Sequence, residues 1–114
     1  MTHKNKKMFL EDIQRALLES IAEEGGRRKN INPKIWGRDG WAFLDKVADS
    51  YPVKPDKHDR LQMIRFLTSL GYALPCQKCR HNYIDFVMEY PPVDYVGSKR
   101  RVKQWIKLYK KVKK

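Results

Sequence analysis

Residues 75–91 read PCQKCRHNYIDFVMEYP and are the most informative part of the sequence for its fold. Pro75 suits the first turn of a helix, because the amide that proline lacks would have no intrahelical partner there. Sulfur and aromatic side chains then recur at the spacing of one helix face: Cys79, Tyr83, Phe86 and Tyr90. Pro91 ends the run. The stretch therefore predicts a helix with a Cys-x-x-Cys motif in its first turn.

The two cysteines are suited to thiol-disulfide chemistry. Cysteines at positions i and i+3 of a helix start can close a small disulfide, and the unpaired amides and dipole of the helix stabilise a thiolate there. Lys78 and Arg80 add positive charge, which lowers the pKa of a nearby thiol. We expect a redox-active pair in which Cys76, nearer the helix start, is the more reactive.

Other interpretations of the motif lead to different classes of protein. The pair could be two small apolar side chains in a core. A zinc site would need two further ligands, and His3, His58 and His81 lie at no zinc-finger spacing, so no metal is predicted. A thioredoxin-like domain would need strands around the motif, whereas the flanking segments all have helical period.

Pro, Gly and Asn residues divide the rest of the chain into four further helical segments. An amphipathic helix is predicted at 7–24, a second after the N-cap Asn32, a third after the N-cap Asp56 and a last at 98–111. The third is predicted to bury Leu61, and the last to bury one face that ends in Val112. No stretch alternates like a strand. The predicted fold class is all-α, a bundle of four or five helices with the Cys-x-x-Cys motif at the N-terminus of a core helix.

Length and composition indicate the domain organisation and the cellular compartment. A chain of 114 residues with 41% hydrophobic residues predicts one compact domain, here residues 31–114, preceded by an N-terminal amphipathic helix and basic linker over 1–30. Neither a signal peptide nor a membrane span is evident, and two cysteines make no secreted disulfide framework. We expect a soluble, cytoplasmic protein.

The net charge of +12 favours acidic partners. Residues 98–114 hold nine basic side chains and no acidic one, so the charge is largely that of the last helix.

Four short motifs occur in order along the chain: WGRDGWAFL at 36–44, YP at 51–52, MIRF at 63–66 and PCQKC at 75–79. In order and approximate spacing they resemble the Erv/ALR flavin-linked sulfhydryl oxidases, particularly the short forms of large DNA viruses. The resemblance covers about residues 32–90. The conjunction of the tryptophan motif with the cysteine motif is more specific than either alone.

The resemblance implies a helical bundle, usually a homodimer, that holds FAD beside the disulfide. Substrate thiols would reduce the disulfide, electrons would pass to the flavin, and oxygen would leave as hydrogen peroxide. By this likeness Cys76 is the cysteine that exchanges with substrate, and Cys79 is the one against the flavin ring. Four positions match residues that line the flavin: Gly37, Arg38, Trp41 and Tyr83.

Two departures from the family pattern concern the cofactor. Asp45 stands where the family usually has histidine, and the family's His-Asn-x-Val-Asn segment is replaced after Trp105 by IKLYKKVKK. Lys110, Lys111 and Lys113 could instead bind the pyrophosphate of FAD, because an ammonium group suits phosphate. Asp45, Trp105 and Lys110 are therefore included among the predicted cofactor-binding residues.

The implied donor is a separate thioredoxin- or glutaredoxin-like protein, or a small thiol, because the sequence has no second cysteine pair to act as a shuttle. If the source is viral, the compartment is the host cytoplasm or the virion. Two other functions fit the sequence: a disulfide carrier without cofactor, and a flavin-free helical interaction module. The module would bind acidic proteins, or less favourably nucleic acid, through its basic last helix.

Overall fold

The computed structural model describes residues 28–113 and four positions nearer the N-terminus, namely 12, 15, 16 and 19. The predicted helix at 7–24 otherwise lies outside the described residues and stays a prediction. The same holds for most of the proposed N-terminal unit at 1–30.

Four α-helices lie within residues 28–113. They are α1 (Pro33–Ser50), α2 (Lys57–Ala73), α3 (Gln77–Glu89) and α4 (Lys99–Lys113). A single 3-10 turn, Pro92–Asp94, joins α3 to α4. No strand occurs among these residues, so the all-α prediction is confirmed.

The helix starts follow from side-chain capping. The Asn32 side chain accepts a hydrogen bond from the Lys34 amide at 3.0 Å, and Pro33 follows as the first helical residue of α1. Asp56 and Asp59 form a reciprocal capping box at the start of α2, each carboxylate accepting from the other's amide. Both N-caps are those that the sequence predicts.

The start of α3 differs from its prediction by two residues. Pro75 and Cys76 precede the helix, which begins at Gln77, and Cys76 is the N-cap with extended backbone. Cys79 alone of the pair therefore lies in the first turn. This difference matters for the chemistry, because an N-cap side chain faces the free amides of the first turn.

The core lies where α2 packs against α3 and α1 packs against α4. Its largest fully buried side chains come from the last three helices and the loop before α4: Trp105, Arg80, Tyr83, Leu67, Ile84, Val87, Val96 and Val102. The Tyr51 hydroxyl, at the end of α1, donates to the Val96 carbonyl at 2.7 Å and ties this loop to the bundle. None of the four described helices combines the length and apolar composition that crossing a bilayer requires.

Two predicted core positions are wrong. Leu61 is 45% exposed and Val112 is 51% exposed. Leu61 lies near the start of α2 and Val112 near the end of α4, where the apolar spacing of each helix continues past the part that its neighbours cover. Periodicity identifies a face, but it does not show where along the helix that face stops being packed.

Candidate functional site

The cysteine motif lies at the junction between α2 and α3. The extended backbone of Cys76 brings its sulfur to the start of the helix, where the Cys79 amide donates to Cys76 Sγ at 3.2 Å. Cys76 is half-buried, whereas Cys79 is only 5% exposed. Both are free thiols in this structure. Of the two sulfurs, that of Cys76 is the one that an external thiol can reach.

Local hydrogen bonds favour the ionised form of Cys76. Burial raises the pKa of the Cys76 thiol, but hydrogen bonds from the Cys79 side chain and from the amides of Cys79 and Lys78 lower it, and so does the charge of Arg80. The net result is a pKa below the ordinary thiol value. The sequence-based expectation of a stabilised thiolate at Cys76 agrees with this geometry.

A cleft opens between α1 and the other helices and encloses about 530 Å³ of empty space, including solvent at its mouth. Its walls are almost entirely apolar and carry five aromatic side chains. The lining residues are Trp36, Gly37, Gly40, Trp41, Phe43, Leu44, Leu70, Leu74, Tyr83 and Tyr109. The cleft therefore suits a flat, largely apolar ligand.

Two tyrosines connect the cleft with the cysteine pair. Tyr83 follows Cys79 by four residues, one turn along α3, and its hydroxyl donates to the Leu67 carbonyl inside the core. Burial raises the pKa of Tyr109, and the negative charge of Cys79 and Cys76 raises it further. Tyr109 thus lies within electrostatic reach of both sulfurs while it also lines the cleft.

The aromatic walls are held by mutual packing. The Tyr109 ring lies 5.0 Å from Trp41 and 5.1 Å from Tyr83, centroid to centroid, the latter edge to face. Gly37 and Gly40 are on the α1 side, and a Cβ built at Gly37 would meet nothing within 4 Å. The glycine leaves the cleft open at a point where any other residue would place atoms.

The two predicted residues that depart from the family pattern meet each other. Lys110 Nζ lies 3.1 and 2.9 Å from the two carboxylate oxygens of Asp45. The same ammonium lies 5.4 Å from the centroid of the Trp41 ring, a cleft wall. Asp45 on α1 and Lys110 on α4 therefore form an ion pair beside the cleft.

Some of the predicted site residues line the cleft and others do not. Gly37, Trp41 and Tyr83 line the cleft. Arg38 is exposed on α1 and is not part of the lining. Trp105 is fully buried in the core, where its Nε1 donates to the Tyr90 carbonyl at 2.8 Å. Cofactor contacts by Arg38 and Trp105 stay predictions.

Sequence reasoning missed several lining residues. Gly40 lies three residues after Gly37, and Tyr109 lies four after Trp105, so helical spacing was an available signal for both. Leu70 and Leu74 lie at the end of α2 and just after it, and both line the cleft. Their place in the cleft depends on how α2 packs, for which no local signal exists.

Comparison with known proteins gives one family. The model described as the Erv1 / Alr family matches residues 38–109. A probable FAD-linked sulfhydryl oxidase of Acanthamoeba polyphaga mimivirus is 44% identical over 70 residues, which are 61% of this chain and 49% of that protein. The mitochondrial FAD-linked sulfhydryl oxidase of Saccharomyces cerevisiae is 30% identical over 70 residues, 61% of this chain and 36% of that protein. The chain spans about half the length, or less, of these relatives.

Proposed function

Because the chain belongs to the Erv1/Alr family, we propose that it is an FAD-dependent thiol oxidase that forms disulfides in a partner protein or small thiol and passes the electrons to oxygen, giving hydrogen peroxide. The observation that carries the proposal is the N-cap thiol of Cys76, which has a lowered pKa and lies within electrostatic reach of Tyr109, a wall residue of the aromatic cleft. A thiolate next to a site for a flat ligand is what a flavin-linked thiol oxidase requires.

The cleft fits the ring system of FAD. Trp41, Tyr83 and Tyr109 offer apolar ring faces, and the space above Gly37 admits a planar group. Lys110 is a cation beside this wall that could pair with an anionic part of the cofactor, in place of Asp45 or together with it. When bound, FAD would supply a two-electron acceptor that oxygen can reoxidise.

The cysteines themselves perform thiol-disulfide exchange. A substrate thiolate attacks Sγ of Cys76 in the oxidised pair, the bond between the two cysteine sulfurs breaks, and Cys79 leaves as a thiolate. A second substrate thiolate then attacks the substrate sulfur, and Cys76 leaves as a thiolate. The substrate dithiol has lost two electrons and two protons, and the pair has gained the two electrons. The Cys79 amide stabilises the departing Cys76.

We infer that the donor is a thioredoxin- or glutaredoxin-like protein dithiol. Cys76 is half-buried and Cys79 is almost fully buried, so an attacking sulfur must approach Cys76 from the surface. An exposed dithiol on a second protein meets this requirement, and a small dithiol would meet it as well.

We further propose that the protein acts as a homodimer. Ile35 and Phe43 on α1 are 72% and 60% exposed, and a second copy would cover them. Phe43→Asp should lower the mass measured by sedimentation to that of one chain. Val53→Asp, at another strongly exposed apolar position, should leave the mass unchanged. A wild-type protein that sediments as a single chain would contradict the proposal.

The test of the oxidase proposal combines colour with turnover. The purified protein should show flavin absorption, and oxygen consumption with a dithiol should be lost in both Cys76→Ser and Cys79→Ser. Gly37→Val should lower the flavin content because its side chain enters the cleft. Gly97→Val, at another glycine with no atom within 4 Å of a built Cβ, should not.

A colourless wild-type protein that stays inactive with added FAD would overturn the oxidase proposal. Cysteines that still cycle under those conditions would favour a disulfide carrier. Inert cysteines with salt-sensitive binding of acidic partners would favour an interaction module.

A further inference from the structure

The segment just before α1 is attached to the loop that carries Cys76. We call residues 28–31 the strap. They lie outside the stretch that matches the family model, which begins at residue 38. Although the sequence there looks like a polar linker, three of the four residues bond to residues 72–77, more than 40 positions away.

The first attachment caps the end of α2. Arg28 Nη1 donates to the Tyr72 carbonyl at 2.6 Å, and Nη2 donates to the Ala73 carbonyl at 3.4 Å. The same guanidinium lies over the Tyr72 ring, 5.3 Å from its centroid. The last carbonyls of a helix have no partner within it, and a basic side chain is a favourable partner because it also opposes the helix dipole.

The second attachment spans the loop up to α3. The Ile31 amide donates to the Pro75 carbonyl at 2.7 Å. Asn30 Oδ1 accepts from the Gln77 amide, also at 2.7 Å, and Gln77 is the first residue of α3. Cys76 is therefore held on both sides, by one strap bond at the residue before it and another at the residue after it.

A further hydrogen-bond donor to this loop comes from inside the bundle. The buried side chain of Arg80 donates through Nη1 to the Leu74 carbonyl at 2.6 Å. Four successive carbonyl oxygens thus each accept a hydrogen bond from outside α2: those of Tyr72, Ala73, Leu74 and Pro75. A loop with every carbonyl bonded in this way has little freedom to move Cys76.

We propose that Arg28 and Asn30 are positioning residues for Cys76, which fix the loop from Tyr72 to Gln77 so that the Cys76 sulfur stays on the Cys79 amide, ready for exchange. The role in catalysis rests on the proposed thiol-oxidase function. Both side chains bond to backbone groups of this loop, Arg28 to the Tyr72 and Ala73 carbonyls and Asn30 to the Gln77 amide, so both act through the backbone.

The ionisation state of Cys76 reports this positioning. Burial raises the pKa of its thiol, and hydrogen bonds from the first turn of α3 are the main causes that lower it. The other ionisable groups that act on it are Cys79 and Arg80 on α3, and Tyr109 on α4 is affected by both thiols. A loosened loop removes the hydrogen bonds while it leaves these groups in place.

The decisive variant is Asn30→Ala in the full chain, with Asn82→Ala, at an exposed position on α3, as the matched control. The reduced protein is alkylated with iodoacetamide over a range of pH, and modification of Cys76 is followed by peptide mass spectrometry. In Asn30→Ala the profile should move to higher pH, with alkylation about three- to tenfold slower at neutral pH. Asn82→Ala should follow the wild type.

Arg28 gives an independent second test. Arg28→Met should shift the profile in the same direction as Asn30→Ala, and Arg28→Lys, which keeps a cationic donor, should recover part of the shift. Circular dichroism establishes that each variant is folded. If Arg28→Met does not fold, the test rests on Asn30→Ala. That variant loses a single exposed hydrogen bond and should still fold.

A profile of Asn30→Ala that superimposes on that of the wild type would overturn the proposal. The measurement uses neither FAD nor a thiol substrate. A shifted profile would therefore support the positioning role even if the protein consumed no oxygen. An active oxidase with an unshifted profile would reject the positioning role and leave the oxidase proposal intact.

Discussion

At Cys76 the backbone passes from extended to helical, and a thiol takes the place that Ser, Asp or Asn commonly occupies at a helix start. The sulfur accepts a hydrogen bond from the Cys79 amide as those side chains would, and a thiolate accepts it more strongly than a thiol. One residue therefore both caps α3 and carries the proposed exchange chemistry. The two roles are coupled, because each depends on the charge of the same atom.

This coupling predicts a pH-dependent stability for the reduced protein. The folded-state pKa of Cys76 lies below that of an unfolded thiol. Its contribution is therefore fully present above the unfolded pKa and is lost as the pH falls through the folded pKa. Urea unfolding should show the stability of reduced wild type rising, relative to Cys76→Ser, as the pH rises towards the unfolded pKa. The comparison of wild type with Ser69→Ala, an exposed control, should not vary with pH; a constant Cys76→Ser difference would contradict the prediction.

Gly71 permits a close approach between α2 and α3. A Cβ built there would lie 2.5 Å from Ile84 Cδ1 and 2.8 Å from Tyr83 Cδ1, both in the core. Because two buried side chains would have to move, Gly71→Ala should destabilise the fold by about 1–3 kcal/mol, despite the better helix propensity of alanine. Gly37→Ala, in an open position of α1, should cause no loss. Equal denaturation midpoints for the two variants would contradict this reading.

At the scale of the elements, the sequence predicts most of the helix boundaries because their signals are local. Asn32 and Asp56 each bond to an amide two or three residues away, so residue type and spacing are sufficient. The aromatic spacing of α3 is local in the same way.

The contacts that build the site are not local. Asp45 and Lys110 are 65 residues apart, and Asn30 and Gln77 are 47 apart. Their partners depend on how the helices dock, which periodicity does not specify. The segment 28–31, Arg-Lys-Asn-Ile, carries no local signal that names a partner more than 40 positions away, so its attachment to the cysteine loop could not be predicted.

The N-cap of α1 offers a direct test of an element. Asn32→Ala removes the hydrogen bond to the Lys34 amide and should lower the free energy of unfolding by about 1 kcal/mol. Asn82→Ala, within α3 and exposed, should produce no comparable loss, since alanine is the better helix former. Thermal or urea denaturation of both variants measures the difference, and equal losses would rule out capping as the cause.

Over the whole molecule, charge is distributed unevenly between the two sides of α4. Lys103 pairs with Asp49 at 2.6 Å and Lys110 with Asp45, so α1 neutralises two of the basic residues on the outer face of α4. Other basic residues of the same face are exposed, including Arg100, Lys107 and Lys111. With a net charge of +12, the molecule should attract acidic partners over distances that salt shortens.

This charge distribution predicts how the rate of the proposed thiol oxidation depends on salt. Oxidation of an acidic thioredoxin-like protein should slow markedly as ionic strength rises, because the encounter is steered by charge. Oxidation of dithiothreitol, which is uncharged, should change little. The double variant Arg100→Glu with Lys107→Glu should remove most of the salt effect on the protein substrate. The same salt dependence for both substrates would contradict steering.

If the strap positions Cys76 as proposed, the full reactivity of its thiol develops only after the chain has folded. Its bonds join positions 44, 45 and 47 residues apart, and such distant contacts form only after the helices between them have docked. A chain still emerging from the ribosome carries two ordinary cysteines, mostly protonated at neutral pH and slow to attack other disulfides. The finished bundle alone presents a reactive sulfur. The chain is thereby shielded from cross-linking to other nascent proteins during the interval in which its own surfaces are exposed.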